Sequence, residues 1–158
     1  MNHTPTFWRL PRAFAFLCAM ASLTTATSRA AVEDPAIGYW TTIDDDGKTA
    51  KSVVRIFEKN SRLYGNIVEL FNPKPKDPKC DQCEGANKGK PILGMQIIWN
   101  LEKNGSEWSG GHILDPKNGK VYKCYIEVLD GGARLKVRGY IGIALLGRTQ
   151  YWRHTKQP

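Results

Sequence analysis

Histidine is scarce in this 158-residue chain: of three, His3 lies near the start, leaving His112 and His154 for the remainder. There is no Gly-x-Ser-x-Gly elbow and no glycine-rich phosphate loop, so the usual parts for nucleophilic or general-base catalysis are missing. No stretch approaches the roughly 20 uninterrupted apolar residues of a membrane-spanning helix. No segment sustains helical periodicity, which excludes a coiled coil. With 41% hydrophobic and 24% charged residues the composition is that of one globular domain, neither disordered nor membranous. Acidic residues are absent from Ala133 onward, where Arg134, Lys136, Arg138, Arg148, Arg153 and Lys156 stand.

Arg9 and Arg12 precede the apolar run Ala13 to Ala21, and small residues lead to Ser28-Arg29-Ala30. This is the layout of a secretory signal, with cleavage expected after Ala30; Ala26 is the alternative, and a retained N-terminal helix the competing reading. Phe16 and Leu17 before Cys18 are too large for a lipoprotein box, so no lipid anchor is expected. The expected organisation is a signal peptide over 1–30 and a single domain over 31–158, periplasmic or secreted. That domain carries 20 basic and 15 acidic side chains. Its excess is confined to the C-terminal segment, suited to an anionic ligand or an acidic envelope polymer, or simply to solvation of a strand face.

Glycine-containing turns punctuate the chain every ten or so residues, with segments rich in Val, Ile, Tyr and Trp between them, which reads as all-β. Strands are expected at 38–43, 52–58, 62–71, 95–102, 107–114, 120–130, 134–140 and 147–153. Asp46-Gly47, Asn104-Gly105, Asn118-Gly119 and Gly131-Gly132 supply the positive-φ residues of tight hairpins, so consecutive strands should pair. The expected fold is an eight-stranded antiparallel up-and-down barrel, with a sandwich as the competitor. Period-two alternation puts Met95, Ile97, Trp99 and Leu101 on one face and Tyr122, Cys124, Ile126 and Val128 inward. Leu135 and Val137 should oppose Arg134, Lys136 and Arg138, and His112 should share a face with Trp108 and Leu114.

Residues 72–91 form the longest stretch without strand character, with Pro73, Pro75, Pro78 and Pro91 and five lysines against three acids. Loops of this length in compact domains are usually functional or mobile, and this one suits a lid over a barrel end. It contains Cys80-Asp81-Gln82-Cys83, most simply a local disulfide in an exported chain. Zinc held with Cys124 or His112, and redox chemistry, are the alternatives. Cys124 is then a buried free thiol unless it pairs with Cys80 or Cys83.

Gly38-Tyr39-Trp40, Arg62 to Val68, Trp108-Ser109-Gly110-Gly111, Asp115 to Lys120, Leu135 to Gly142 and Leu146 to Trp152 together resemble domain-of-unknown-function family 2147, secreted bacterial proteins, over about residues 37–153. The resemblance implies a compact barrel similar to the calycins, and no established catalytic residues. Gly-x-Trp also resembles the lipocalin signature, which implies Trp40 closing a barrel end beneath Arg148.

Arg138 and Tyr140, two residues apart on one strand face, suit a carboxylate or phosphate, similar to the Arg-x-Tyr pair of fatty-acid-binding barrels. An outward orientation beside Arg134 and Lys136 is the favoured placement, since three cations in a dry cavity would be costly. Trp99, Trp108 and Tyr122 are the candidate lining of a ligand site. Asp44-Asp45-Asp46-Gly47 and Asp115-Pro116 read as turns rather than calcium ligands. No catalytic residue, metal or cofactor is expected, and export argues against a nucleic-acid partner. The expected function is an exported binder of a small, partly apolar, anionic or lipid-like molecule. An envelope-polymer or protein interaction module with a packed core is the second reading. An enzyme uniting His112, Asp115 and a cysteine is the third.

Overall fold

Short connections between consecutive strands dictate the architecture. A computed structural model describes Met1, residues 33–143 and residues 145–158; apart from Met1, the expected signal segment lies outside the described residues. Eight strands follow in order: β1 (Gly38–Ile43), β2 (Ala50–Lys59), β3 (Arg62–Leu70), β4 (Gln96–Asn104), β5 (Glu107–Asp115), β6 (Lys120–Leu129), β7 (Arg134–Tyr140) and β8 (Gly147–Thr155). Each pairs antiparallel with the next, and β8 returns to β1 through Tyr39–Thr155, Trp40–His154 and Thr41–Arg153, closing the barrel. The β2–β3 connection is the two-residue turn Asn60-Ser61, both at positive φ, the conformation that matches strand twist.

In such a ring the connections alternate between ends. The β2–β3, β4–β5 and β6–β7 turns share one end with the start of β1. The other four connections form the opposite end, the mouth. The first end is sealed by residues 33–37. The Trp40 indole donates to the Ala36 carbonyl at 2.9 Å, and both residues are fully buried. Asp34 accepts from Lys103 Nζ at 2.6 Å, the Ala36 amide at 2.9 Å and the Trp108 indole at 3.2 Å. Burial pushes the Asp34 pKa up, but these three donors outweigh it and hold the carboxyl below its ordinary value.

Above this plug the interior is filled by Trp40, Trp152, Val54, Ile56, Leu63, Ile98, Leu101, Cys124, Ile126 and Leu135, all buried. Cys124 and Ile126 point inward as alternation requires, and Leu135 and Val137 are buried opposite the outward Arg134, Lys136 and Arg138. Higher up, the Thr42 and Ser52 hydroxyls satisfy each other at 2.8 Å.

Alternation fails in β4 and β5. Asn100 has φ 59° and Gly110 φ 80°, and the β5–β6 register slips between Trp108 and Gly111. These bulges flip the sides. Ile98 and Leu101 point inward, whereas Trp99 faces outward and stacks on His112, ring centroids 5.7 Å apart. His112 therefore does not share a face with Trp108, and Trp99 does not share one with Leu101. Gly111 is obligatory here, because a Cβ would lie 2.3 Å from the Trp99 carbonyl oxygen.

Nor does the fold bring Trp40 and Arg148 together. Trp40 packs edge-on against His154, centroids 5.2 Å apart, while Arg148 opens β8 at the mouth. Trp40→Ala is expected to cost about 3–5 kcal/mol in urea unfolding. Arg148→Ala, which removes only half-exposed ion pairs, should cost under about 1 kcal/mol.

Candidate functional site at the barrel mouth

Turn chemistry shapes the mouth. In the β1–β2 turn the Gly47 amide donates to the Asp44 carbonyl at 2.9 Å, and Asp46 accepts from the Lys48 and Thr49 amides, each at 2.8 Å, and from the Thr49 hydroxyl at 2.5 Å. Asp44 pairs with Lys51 at 3.1 Å. The three consecutive aspartates thus have separate partners, as a turn requires. In the β5–β6 turn Asp115 accepts from the Lys117 amide, and the Asn118 side-chain amide donates to the Tyr122 hydroxyl at 3.1 Å.

Arg148 links these two turns. It occupies the inward parity of β8, paired with Gly139, and its guanidinium contacts Asp45 at 2.5 Å and Asp115 at 3.6 Å. The β1–β2 turn and the end of β5 stand nearly opposite in a ring of eight strands. The Asp45–Arg148–Asp115 string is therefore a polar strut across the opening.

The segment 72–91 lies against the β5–β6 turn. Cys80 and Cys83 form a disulfide, and Cys80 Sγ sits 3.3 Å from the Pro116 carbonyl oxygen. A Cβ on Gly119 would stand 1.9 Å from the Gln82 carbonyl oxygen, so glycine permits the loop to seat there. A cleft of about 340 Å³ opens beside this contact, with Cys83, Glu84, Leu114, Lys120, Val121 and Ile141 in its walls.

The β7–β8 loop completes the rim. Its Ile141 amide donates to the Leu146 carbonyl at 3.4 Å and its Leu146 amide to the Ile143 carbonyl at 3.1 Å. Sequence reasoning had no role for Ile141, Ile143, Leu145 and Leu146, although four aliphatic residues in a hairpin loop are themselves the signal.

The structure scatters the other candidate residues. Arg138 is on the outer wall, donating to the Thr149 hydroxyl at 2.6 Å and to the Leu145 carbonyl at 3.1 Å, which ties down the β7–β8 loop. Tyr140 lies on the same outer face beside Tyr125. Trp99 is on the outer wall and Trp108 at the sealed end, while Tyr122 alone stands at the mouth. Of His112, Asp115 and the cysteines, Asp115 is at the rim beside the Cys80–Cys83 loop, whereas His112 is on the outer wall against Trp99 and Cys124 is in the core.

A second groove of about 340 Å³ runs along the outer wall between the β1–β2 turn and β8, lined by Asp44, Asp45, Arg134, Thr149, Tyr151 and Arg153. Arg134 and Arg153 are direct cross-strand partners. Asp130 pairs with Arg134, and the Arg134 guanidinium lies 5.5 Å from the Tyr151 ring centroid.

Residues 38–154 match the family described as an uncharacterized protein conserved in bacteria, DUF2147. The chain belongs to this family. Among solved structures, protein HP1028 from the human pathogen Helicobacter pylori, described as belonging to the lipocalin family, is similar with a TM-score of 0.66 at 18% identity, over 77% of this chain and 83% of that one. That likeness shows the fold. No curated protein matches the chain.

Two measurements test this geometry. The Thr49 hydroxyl, then the Thr49 and Lys48 amides, lower the Asp46 pKa to about 2. A carboxylate whose folded pKa is depressed contributes stability that is present above its unfolded pKa and lost as pH falls through the folded one. NMR titration should accordingly show the Asp46 carboxylate ionised at pH 3, with the β1–β2 turn loosening only as pH approaches 2. Burial pushes the Cys124 thiol up to about 12. Iodoacetamide at pH 8 should leave it unmodified in the folded protein and alkylate it after denaturation.

Proposed function

We propose that this chain is an exported, non-catalytic barrel that binds a small molecule, apolar with an anionic group, at its mouth. The observation carrying the reading is the Arg148 strut. A guanidinium held by two carboxylates is already arranged for a third: an anionic head can replace Asp45, whose side chain is 61% exposed, with like chemistry exchanged for like. The aliphatic β7–β8 loop and Tyr122 flank that position and suit the apolar part. The expected signal segment and the Cys80–Cys83 disulfide support export, and with it a binder that works in the periplasm or outside the cell.

A second reading, an interaction module for an acidic envelope polymer or protein, is favoured by one specific feature. The upper interior is tight: a Cβ on Gly139 would meet Ile113 at 3.3 Å and Tyr122 at 3.4 Å. The groove lined by Arg134 and Arg153 would then be the binding surface.

Native mass spectrometry of the protein isolated from its exporting host separates the two. A defined excess mass, released on denaturation and absent from Arg148→Gln, is the expected result. A bare polypeptide mass, two hydrogens light for the disulfide, would reject a retained ligand and leave the outer groove as the working site.

A further inference from the structure

The apolar surface is distributed unevenly. Among the described residues the exposed large hydrophobic side chains are Met1, Tyr151 and six others, Leu93, Val121, Ile141, Ile143, Leu145 and Leu146, and all six stand at the mouth end. Four belong to the β7–β8 loop, with Leu145 84% and Leu146 71% exposed. Two hydrogen bonds join the described residues of this loop, and the Arg138 guanidinium holds the Leu145 carbonyl. Ile141 and Val121 wall the same cleft, so the apolar surface continues from the loop onto β6.

Charge around this tip is mixed with an excess of cations: Asp77, Asp81 and Glu84 share the 72–91 segment, and Asp44, Asp45, Asp46 and Asp115 stand on the rim. Lys117 and Lys120 flank the β5–β6 turn, and residues 72–91 add five lysines against three acids. The aspartates of the β1–β2 turn and Asp115 are occupied within the rim by Arg148, Lys51 and turn amides. The sealed end also mixes signs, with Glu33, Asp34, Glu58, Glu102, Glu107 and Asp130 among its cations.

We infer that the mouth end docks on an anionic lipid bilayer, Ile141, Ile143, Leu145 and Leu146 entering the headgroup region while Lys117, Lys120 and the lysines of 72–91 meet the phosphates. An aliphatic tip beside an excess of lysines combines the two weak signals that together hold a protein at a membrane surface. A second copy is a poor occupant, because it would bring the same excess of cations against this one. A protein partner would need a pocket shaped to a convex tip that offers no tryptophan or arginine anchor, whereas lipid imposes no shape. The inference does not depend on Arg148 binding an anion.

The test uses the unit Val32–Pro158, which contains the whole barrel ladder and core and lacks the apolar leader. Co-sedimentation with phosphatidylglycerol/phosphatidylcholine vesicles at low salt should retain the protein, and pure phosphatidylcholine should retain far less. Leu145→Glu/Leu146→Glu should cut the partition coefficient roughly tenfold or more, with an unchanged melting curve because both side chains face solvent. Lys117→Gln/Lys120→Gln should weaken binding and flatten its salt dependence. The inference is overturned if the wild type stays in the supernatant with anionic vesicles, or if the leucine variant sediments as well as the wild type. Equal, salt-insensitive binding to neutral vesicles would also overturn it, as would a dimer in sedimentation equilibrium that the leucine variant dissociates.

Discussion

Everything in this protein depends on the pairing of β8 with β1. Three residue pairs, Tyr39–Thr155, Trp40–His154 and Thr41–Arg153, turn an open meander into a ring. Without them two edges of unpaired amides and carbonyls would be exposed and the inward faces of the first and last strands would lose their cover. Closure also fixes parity: once Trp40 is inside, His154, Trp152, Gln150 and Arg148 follow on the inward side of β8. Arg148 is thus committed by the ring to lean over the opening, and its length lets it reach carboxylates on both sides. The strut at the mouth is a consequence of the seam.

The two ends are closed by different physics. At the sealed end Ala36, Trp40 and Trp108 exclude water, and Asp34 makes three hydrogen bonds from a half-buried position. Desolvation strengthens such bonds and makes their loss expensive. At the mouth the closing contacts are ion pairs on half-exposed side chains, screened by solvent and individually weak. Opening there is correspondingly cheap. Any exchange between interior and solvent is therefore directed to the mouth by energetics, before any ligand is considered.

The fold was largely legible because its signals are local. Gly38–Ile43 and Arg134–Tyr140 were bounded correctly to the residue, since each lies between turn residues whose φ requirements are set by neighbours in sequence. What resisted was the bulge. Nothing near Asn100 announces a positive φ in a strand, and one extra residue there transfers Trp99 from an expected cavity lining to the outer wall. The mouth was less legible still. Arg148 contacts residues 103 and 33 positions away, and the lipocalin-like pairing of Trp40 with a late-strand arginine pointed to the wrong end of the barrel. Arg138 was identified as a basic group of consequence, but its donors turn along the outer wall to the neighbouring loop, a direction set by the pairing of Arg138 with Thr149.

That last contact ties the rim to the wall. Arg138 projects from the outer face of β7, yet it holds the carbonyl of Leu145, the most exposed of the loop's aliphatic side chains. A loop of four aliphatic residues in water would ordinarily collapse onto the nearest apolar surface. Here internal hydrogen bonds and the guanidinium set its backbone, and the side chains stay outward. Holding apolar groups in water costs stability with no return inside the isolated barrel. The loop thus keeps an apolar surface available at the mouth.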